Sequence, residues 1–222
     1  MENKTIENNT VRITGMIAGK PAVSHEIEGE KFWEFPLEIK RLSGVSDVLP
    51  VTVPEKLLVA SKLNLTEGEG ITVEGELRSY NKLVGEKSKL IISTFAKEIR
   101  EVDLAKESDE NFICLNGFIC KPPIYRTTPF NREICDAILA VNRKNFKSDY
   151  LPLISWGRNA KYLHNLPVGT KISAEGRIQS RKYTKVIDGV SEERVAYEVS
   201  VQKLVNIDKL NSNDEERLIK AQ

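Results

Sequence analysis

The sequence predicts an all-β protein built from two small barrels in tandem. Three observations lead to this fold class. The chain repeats itself at a nearly constant offset, each repeat holds short runs that alternate apolar and polar residues, and isolated glycines interrupt those runs. With 222 residues, of which 40% are hydrophobic, the chain can form two cores of ordinary domain size.

The repeat consists of four sequence blocks that recur in the same order. At an offset of 102, VRITGMIAGKP recurs as ICLNGFICKPP, FPLEIKR as AILAVNR, and DVLPV as DYLPL. At an offset of 101, NLTEGEGITVEGELRS recurs as NLPVGTKISAEGRIQS. An internal duplication explains this order, and it defines an N-terminal and a C-terminal repeat. We expect domains at 9–103 and 111–207, a polar linker between them and a short flexible tail at 208–222.

Each repeat has the pattern of three strands, one helix and two strands. Alternating runs such as RITGMI, ICDAILAVNR, GITVEGELRS and VAYEVSVQKLV are typical of half-buried strands. Between the third and fourth strands, EKLLVASKLNL and GRNAKYLHNL have helical spacing. This order is the layout of the OB-fold, a five-stranded Greek-key barrel with one helix between strands three and four.

Glycines mark the places where the predicted strands bend. Gly15, Gly75, Gly117 and Gly176 lie inside strand-like runs, which predicts bulges or sharp bends of the kind that curl a small barrel. Asp188-Gly189 is the expected tight turn of the last hairpin.

The net charge of +1 conceals an asymmetry between the two halves. Residues 1–105 hold 14 Lys and Arg against 17 Asp and Glu, whereas residues 106–206 hold 16 against 11. A basic C-terminal half favours a polyanionic partner, although solvated surfaces often carry an excess of this size.

Aromatic residues are also concentrated in the C-terminal repeat, which holds ten against five in the N-terminal repeat. Binding of single-stranded nucleic acid requires a cationic groove and aromatic faces on which bases stack. Basic residues are interleaved with these aromatics, namely Arg143, Lys144 and Lys147 before Tyr150, Arg158 after Trp156, and Arg181, Lys182 and Lys185 around Tyr183. Alternate strand positions share a face, so Arg181 and Tyr183 are expected to point the same way. We expect Phe112, Phe118 and Tyr197 in the core.

The segment 138–185 resembles the core of the bacterial single-stranded DNA-binding protein family. The resemblance is carried by a strand ending in Ala-Val-Asn-Arg, by Asp149-Tyr150, by the aromatic-Gly-Arg-x-Ala segment at 156–160, and by the strand pair that follows. It extends over residues 111 to 206 and is much weaker in the N-terminal repeat.

The resemblance implies a set of DNA-binding residues in the C-terminal repeat. Bases are expected to stack on Tyr150, Trp156 and Tyr183. The implied backbone-contacting cations are Arg143, Arg158, Arg177, Arg181 and Lys182, to which the interleaved Lys144 and Lys147 are added.

The N-terminal repeat departs from this pattern. Val48 stands opposite Tyr150 and Pro54 opposite Trp156, and Tyr80 is the one plausible stacking residue. We therefore expect this repeat to bind single strands weakly or to serve in packing and assembly.

The function implied is binding of single-stranded DNA without strong sequence preference, in DNA replication, recombination or repair. Because the family works with about four barrels, a homodimer is expected, with replication or repair proteins as further partners. The ending SNDEERLIKAQ lacks the acidic, apolar tip through which the family recruits such proteins. The N-terminus lacks the apolar segment of a signal peptide and no run is long enough for a membrane helix, so a cytoplasmic, nucleoid-associated location is expected.

Two other functions remain open on the residues alone. One is a protein-assembly adaptor similar to the primosomal branch of the same family, with weak nucleic-acid binding. The other is RNA binding, since stacking does not distinguish sugars. No phosphate loop, catalytic triad or paired-His motif is present, and nothing near Cys114 and Cys120 supplies further ligands. We therefore expect no enzymatic activity, no cofactor and no metal site.

Overall fold

The computed structural model of the chain describes residues 8–84, 87–187 and 190–208, without the side chains of 83–84, 87–88, 187 and 190. The predicted Asp188-Gly189 turn and residues 209–222 of the predicted tail lie outside the described residues. Within those ranges, no helix is long and apolar enough to cross a membrane.

The N-terminal repeat forms a closed barrel. Its elements are β1 (Asn9–Ile17), β2 (Ala22–Ile27), β3 (Glu30–Lys40), β4 (Ser46–Pro54), α1 (Glu55–Ser61), β5 (Gly70–Val84) and β6 (Lys87–Glu101). The strand order is β2-β3-β4-β6-β5-β1, and an additional pairing of β3 with β1 closes the barrel. β4 and β6 run parallel, whereas β1–β5, β3–β4 and β5–β6 are antiparallel.

The C-terminal repeat has the same order of elements. These are β7 (Glu110–Ile119), β8 (Ile124–Thr127), β9 (Glu133–Asn142), β10 (Ser148–Trp156), α2 (Gly157–His164), β11 (Lys171–Ile187) and β12 (Val190–Asn206). The strands follow the order β7-β11-β12-β10-β9-β8, and the pairing of β7 with β9 closes the barrel.

The predicted fold class is confirmed: each repeat closes a five-stranded barrel and places its helix after the third barrel strand. Each barrel also has one outer strand that the sequence analysis did not predict, β2 on β3 and β8 on β9. All six residues of β2 are exposed. Such a strand carries no inward apolar set, and alternation therefore could not reveal it.

The cores of the barrels come from the inward positions of the alternating strands. Ile13, Leu37 and Val51 are fully buried in the N-terminal repeat, as are Leu139 and Leu151 in the C-terminal repeat. Burial of a side chain of this size contributes roughly 1.5–3 kcal/mol relative to its exposed state. Removal of apolar surface from water therefore holds each barrel closed.

By its contacts the chain forms two compact bodies that do not coincide with the two repeats. The N-terminal body consists of Thr10–Ile113 and Ile178–Glu198, and the C-terminal body of the described residues 8–9, 114–177 and 199–208. The outer half of the β11–β12 hairpin thus belongs to the N-terminal body. The domain limits 9–103 and 111–207 stay a prediction from the repeat.

Polar contacts attach this hairpin within the N-terminal body. The Ser180 backbone N–H donates to Asp47 Oδ1 at 2.8 Å, and the Val48 N–H donates to Ser180 Oγ at 3.1 Å. The Asn111 side chain donates to the Ile178 carbonyl at 2.7 Å and accepts from the Ile178 N–H at 2.8 Å. The Asn111 side chain therefore hydrogen-bonds to the backbone of β11 in the way that the backbone of a neighbouring strand would.

Gly75 and Gly176 lie where two strands approach too closely for a side chain. A Cβ on Gly75 would lie 2.0 Å from the Phe95 carbonyl oxygen, and one on Gly176 would lie 2.1 Å from that of Ser200. The β5–β6 register shifts between Glu74 and Gly75, which confirms the bulge predicted there.

Candidate nucleic-acid interface

Two predicted stacking residues, Tyr150 and Trp156, lie on the outer face of β10 in the C-terminal body. They are six positions apart along the strand and therefore share a face, whereas Leu151 and Leu153 between them point into the core. The side chains are 51% and 40% exposed, respectively. The strand thus presents two aromatic surfaces to solvent on the face where the sequence predicts them.

Trp156 lies at the junction between β10 and α2. It has extended backbone geometry, and Gly157, the first residue of α2, takes the left-handed conformation at φ +52°. Ala160 and Leu163 bury the inner face of α2. Packing of the helix therefore fixes the backbone that carries the indole.

Three of the predicted cations of the C-terminal body, Lys144, Lys147 and Arg158, have exposed side chains. None of them forms an ion pair with another residue in the described ranges. Lys144 and Lys147 lie in the turn between β9 and β10, and Arg158 lies in the first turn of α2. They therefore flank the two ends of β10, the strand that carries Tyr150 and Trp156.

Arg143 occupies a different environment from these cations. Its Nε donates to Asp149 Oδ2 at 2.7 Å and its Nη2 to Asp149 Oδ1 at 2.5 Å. In the N-terminal repeat Arg41 makes the same two bonds to Asp47, at 2.6 and 2.5 Å. The hydrogen bonds that Arg41 donates to Asp47 raise the pKa of Arg41 above its ordinary value. The sequence carries this signal, since Arg and Asp are six residues apart in both repeats.

The predicted residues of β11 beyond Ile178 lie in the N-terminal body. The Arg181 guanidinium is 5.8 Å from the centre of the Tyr183 ring, which confirms that the two side chains point the same way. Arg181 also lies 3.4 Å from Glu198, and the Lys182 amine lies 3.1 Å from Glu193. Both cations therefore form ion pairs with carboxylates of β12.

The predicted site residues thus belong to two different bodies. Tyr150, Trp156, Arg143, Lys144, Lys147, Arg158 and the half-buried Arg177 belong to the C-terminal body, and Arg181, Lys182 and Tyr183 to the N-terminal body. Their roles in binding DNA stay predictions.

The expectation that Phe112 and Phe118 lie in the core is wrong. They are 41% and 38% exposed, and the Lys171 amine lies 5.9 Å from the centre of the Phe118 ring. The alternation contained the signal, because both are in phase with Asn116 and out of phase with the buried Leu115. Phe118 and Lys171 add an aromatic and a cation to the exposed surface of the C-terminal body.

Phe146 is a further exposed aromatic that was not among the predicted binding residues. Its side chain is fully exposed at the β9–β10 turn, between Lys144 and Lys147. Its backbone has a φ of +61°, a conformation that non-glycine residues rarely adopt. The turn therefore presents an aromatic ring between two cations.

The described residues contain no group of three or more His, Cys, Asp or Glu side chains that could hold a metal ion.

The C-terminal repeat is similar in sequence to known proteins. The model of the single-strand binding protein family matches residues 110–207. Single-stranded DNA-binding proteins 1 and 2 of Staphylococcus aureus are each 34% identical over 80 residues, which is 33% of this chain and 48% of those proteins. The match thus spans about half the length of these curated relatives.

Solved structures match over most of the chain. The single-stranded DNA binding protein from Thermus aquaticus superposes with a TM-score of 0.71 over 89% of this chain and 92% of that chain, at 20% identity. A deletion mutant of that protein gives a TM-score of 0.72. The N-terminal domain of the PriB protein from Thermoanaerobacter tencongensis is 42% identical over 44% of this chain and 99% of that domain, with a TM-score of 0.39.

The Thermus aquaticus structures share the fold of this chain, and the family model covers the repeat in which Tyr150 and Trp156 lie on the outer face of β10. The C-terminal repeat is thus similar to the single-strand binding protein family.

Proposed function

We propose that the chain binds single-stranded DNA without strong sequence preference through the exposed aromatic and basic side chains of its C-terminal repeat. The observation that carries this proposal is the pair Tyr150 and Trp156, exposed on one face of β10 in the segment that matches the family model. Each base stacked on such a ring contributes about 1–3 kcal/mol.

Phosphate contacts supply the second part of the binding energy. Lys144, Lys147 and Arg158 are exposed and lie in the turn before β10 and the helix after it, next to the strand that carries the two aromatics. Neutralised phosphates release counterions, so the affinity falls as the salt concentration rises. Arg143 contributes mainly by holding the β9–β10 hairpin, because its guanidinium is engaged by Asp149.

The biological setting and the assembly are part of the proposal. A binder that tolerates any sequence protects DNA exposed during replication, recombination or repair, where replication or repair proteins are partners. Two barrels per chain favour a homodimer, which gives the four barrels that the family resemblance implies. Light scattering of the purified protein tests this point, since a dimer has twice the mass of the 25.1 kDa chain.

A titration with fluorescently labelled oligo-dT of about 30 nucleotides, long enough for two OB-folds, tests the function. We expect saturable binding in the nanomolar to micromolar range that weakens with salt. Competition by unlabelled oligo-rU distinguishes DNA from RNA. Absence of binding at low salt would contradict the proposal and favour a protein-assembly adaptor.

A further inference from the structure

A cleft of about 1080 Å³ opens in the N-terminal body and includes Tyr80, the one plausible stacking residue of the N-terminal repeat. It is lined by residues of β2, β3, β4 and β5 and by Tyr197 of β12. All of these belong to the N-terminal body. Its volume is close to the upper limit of about 1,000 Å³ for pockets that bind small molecules.

Flat apolar groups form much of this cleft. Tyr80 and Tyr197 line it, and Pro36 and Pro50 lie opposite each other in the β3–β4 register. The Tyr80 ring is half-exposed and Tyr197 is half-buried. Planar rings stack well on phenol rings, so the shape of the lining suits a nucleobase.

The cleft also contains one carboxylate, that of Glu34, whose position on β3 places it opposite Ala22 of β2 and Thr52 of β4. Glu34 is half-buried and forms no hydrogen bond or ion pair with another residue in the described part of the chain. Burial, and after it the negative charge of Glu34, raises the pKa of Tyr80 and of Tyr197. The carboxylate is therefore within electrostatic reach of both phenols.

A carboxylate discriminates among the bases by their Watson–Crick edges. Its two oxygens accept hydrogen bonds only and can accept two parallel N–H groups at once. Guanine offers such a pair, its ring N1–H and its N2 amine. Cytosine and adenine offer an amine beside an acceptor nitrogen, and thymine offers a single N–H between two carbonyl oxygens that repel the carboxylate.

We propose that the cleft between Tyr80 and Tyr197 is a nucleobase subsite that selects guanine through a two-bonded contact with Glu34. Lys82 also lines the cleft and supplies a cation for the attached phosphate. The inference rests on the proposed function, since the guanine is presented by a bound single strand. It gives the N-terminal repeat a base-reading role on top of the sequence-tolerant binding of the C-terminal repeat.

The test compares three labelled oligonucleotides of equal length. These are oligo-dT, the same strand with isolated deoxyguanosines, and the same strand with deoxyinosine, which keeps the ring N–H but lacks the amine. Fluorescence anisotropy at fixed salt gives the dissociation constants. We expect the guanine strand to bind at least about fivefold more tightly than the other two, as one good bidentate contact requires.

Two variants assign the preference to this cleft. Glu34→Gln has the same shape but presents only one acceptor, and we expect it to bring the guanine preference close to one. Glu38→Gln is the matched control, because Glu38 lies on the same strand outside the cleft. This substitution removes the same charge as Glu34→Gln. Tyr80→Phe, which keeps the ring, is expected to retain most of the preference.

Each result bears on one of the two proposals. Equal binding of all three strands by the unaltered protein overturns the guanine subsite and leaves the proposed function standing. A preference that survives in Glu34→Gln also overturns it. If no strand binds, both proposals fail together. Loss of the preference in Glu34→Gln, with circular dichroism unchanged and with the preference retained in Glu38→Gln, supports the subsite.

Discussion

Arg143 and Asp149 are joined by two hydrogen bonds, of 2.7 and 2.5 Å, across the β9–β10 hairpin. The carboxylate is almost completely buried, with 1% of its side chain exposed. Arg41 and Asp47 repeat this arrangement in the N-terminal barrel, which lacks the counterparts of Tyr150 and Trp156. An ion pair that occurs with and without the stacking residues is better explained by the hairpin than by a ligand.

We predict that Arg143→Met lowers the free energy of unfolding by about 3 kcal/mol, because it removes both hydrogen bonds and the positive charge that the guanidinium supplies to the buried Asp149 carboxylate. Urea denaturation followed by circular dichroism measures the change. Lys144→Met is the control, since that side chain is exposed, and its effect should stay within about 0.5 kcal/mol. An Arg143→Met protein of unchanged stability and reduced DNA affinity would instead make Arg143 a phosphate contact.

Tyr150→Ala and Trp156→Ala are each predicted to weaken binding of oligo-dT by about 1–3 kcal/mol, because each removes one stacked base. Anisotropy titrations measure the loss. Phe130→Ala serves as the control, since Phe130 is an exposed aromatic of the same body outside the predicted site. If all three variants bind as tightly as the unaltered protein, bases do not stack on β10.

The salt dependence of binding reports on the cations. We predict that Lys144→Gln, Lys147→Gln and Arg158→Gln each reduce the slope of log K against log salt concentration by about one. Lys161→Gln is the comparison, because the Lys161 amine already lies 2.9 Å from Glu133. A slope that stays constant through all four variants places the phosphates elsewhere.

The Cys135 thiol provides an independent check of the C-terminal core. Burial, and after it the charge of Asp136, raises the pKa of Cys135 to about 11. Only the thiolate reacts, so at pH 8 about one thiol in a thousand is ready for alkylation. We predict that iodoacetamide leaves Cys135 unmodified in the native protein and modifies it in denaturant, as peptide mass spectrometry detects.

The pH dependence of the alkylation rate tests the same raised pKa of Cys135. For an ordinary thiol the rate levels off above a pKa of about 8.5. For Cys135 of the folded protein, the rate is predicted to go on rising with pH until about pH 11. A plateau below pH 9 in the folded protein would show that the thiol is accessible to water, contrary to its position in the core.

The barrels could be predicted from the sequence because duplication and alternation are properties of the chain itself. The common face of Arg181 and Tyr183 followed from strand periodicity, and their proximity confirms it. The outer strand β2 could not be found in this way, since all six of its residues are exposed and none contributes to the core.

Other features depend on which residues the fold brings together. The partner of Arg143 follows from the register of the β9–β10 hairpin, and that register cannot be assigned from a single residue. The cleft around Glu34 requires Tyr197, which lies more than a hundred residues further along the chain. Tertiary assembly creates this cleft, so periodicity and composition contain no trace of it.

Tryptophan fluorescence of a Trp33→Phe variant, titrated with oligo-dT, tests most directly whether this surface binds single strands. Trp33 and Trp156 are the two tryptophans of the chain, and Trp33 is half-buried with its Nε1 3.4 Å from Glu55. The variant therefore reports on Trp156 alone. The account predicts saturable quenching that shifts to higher DNA concentrations as salt is added. Fluorescence that stays unchanged at saturating DNA would contradict stacking at Trp156 and with it the proposed interface.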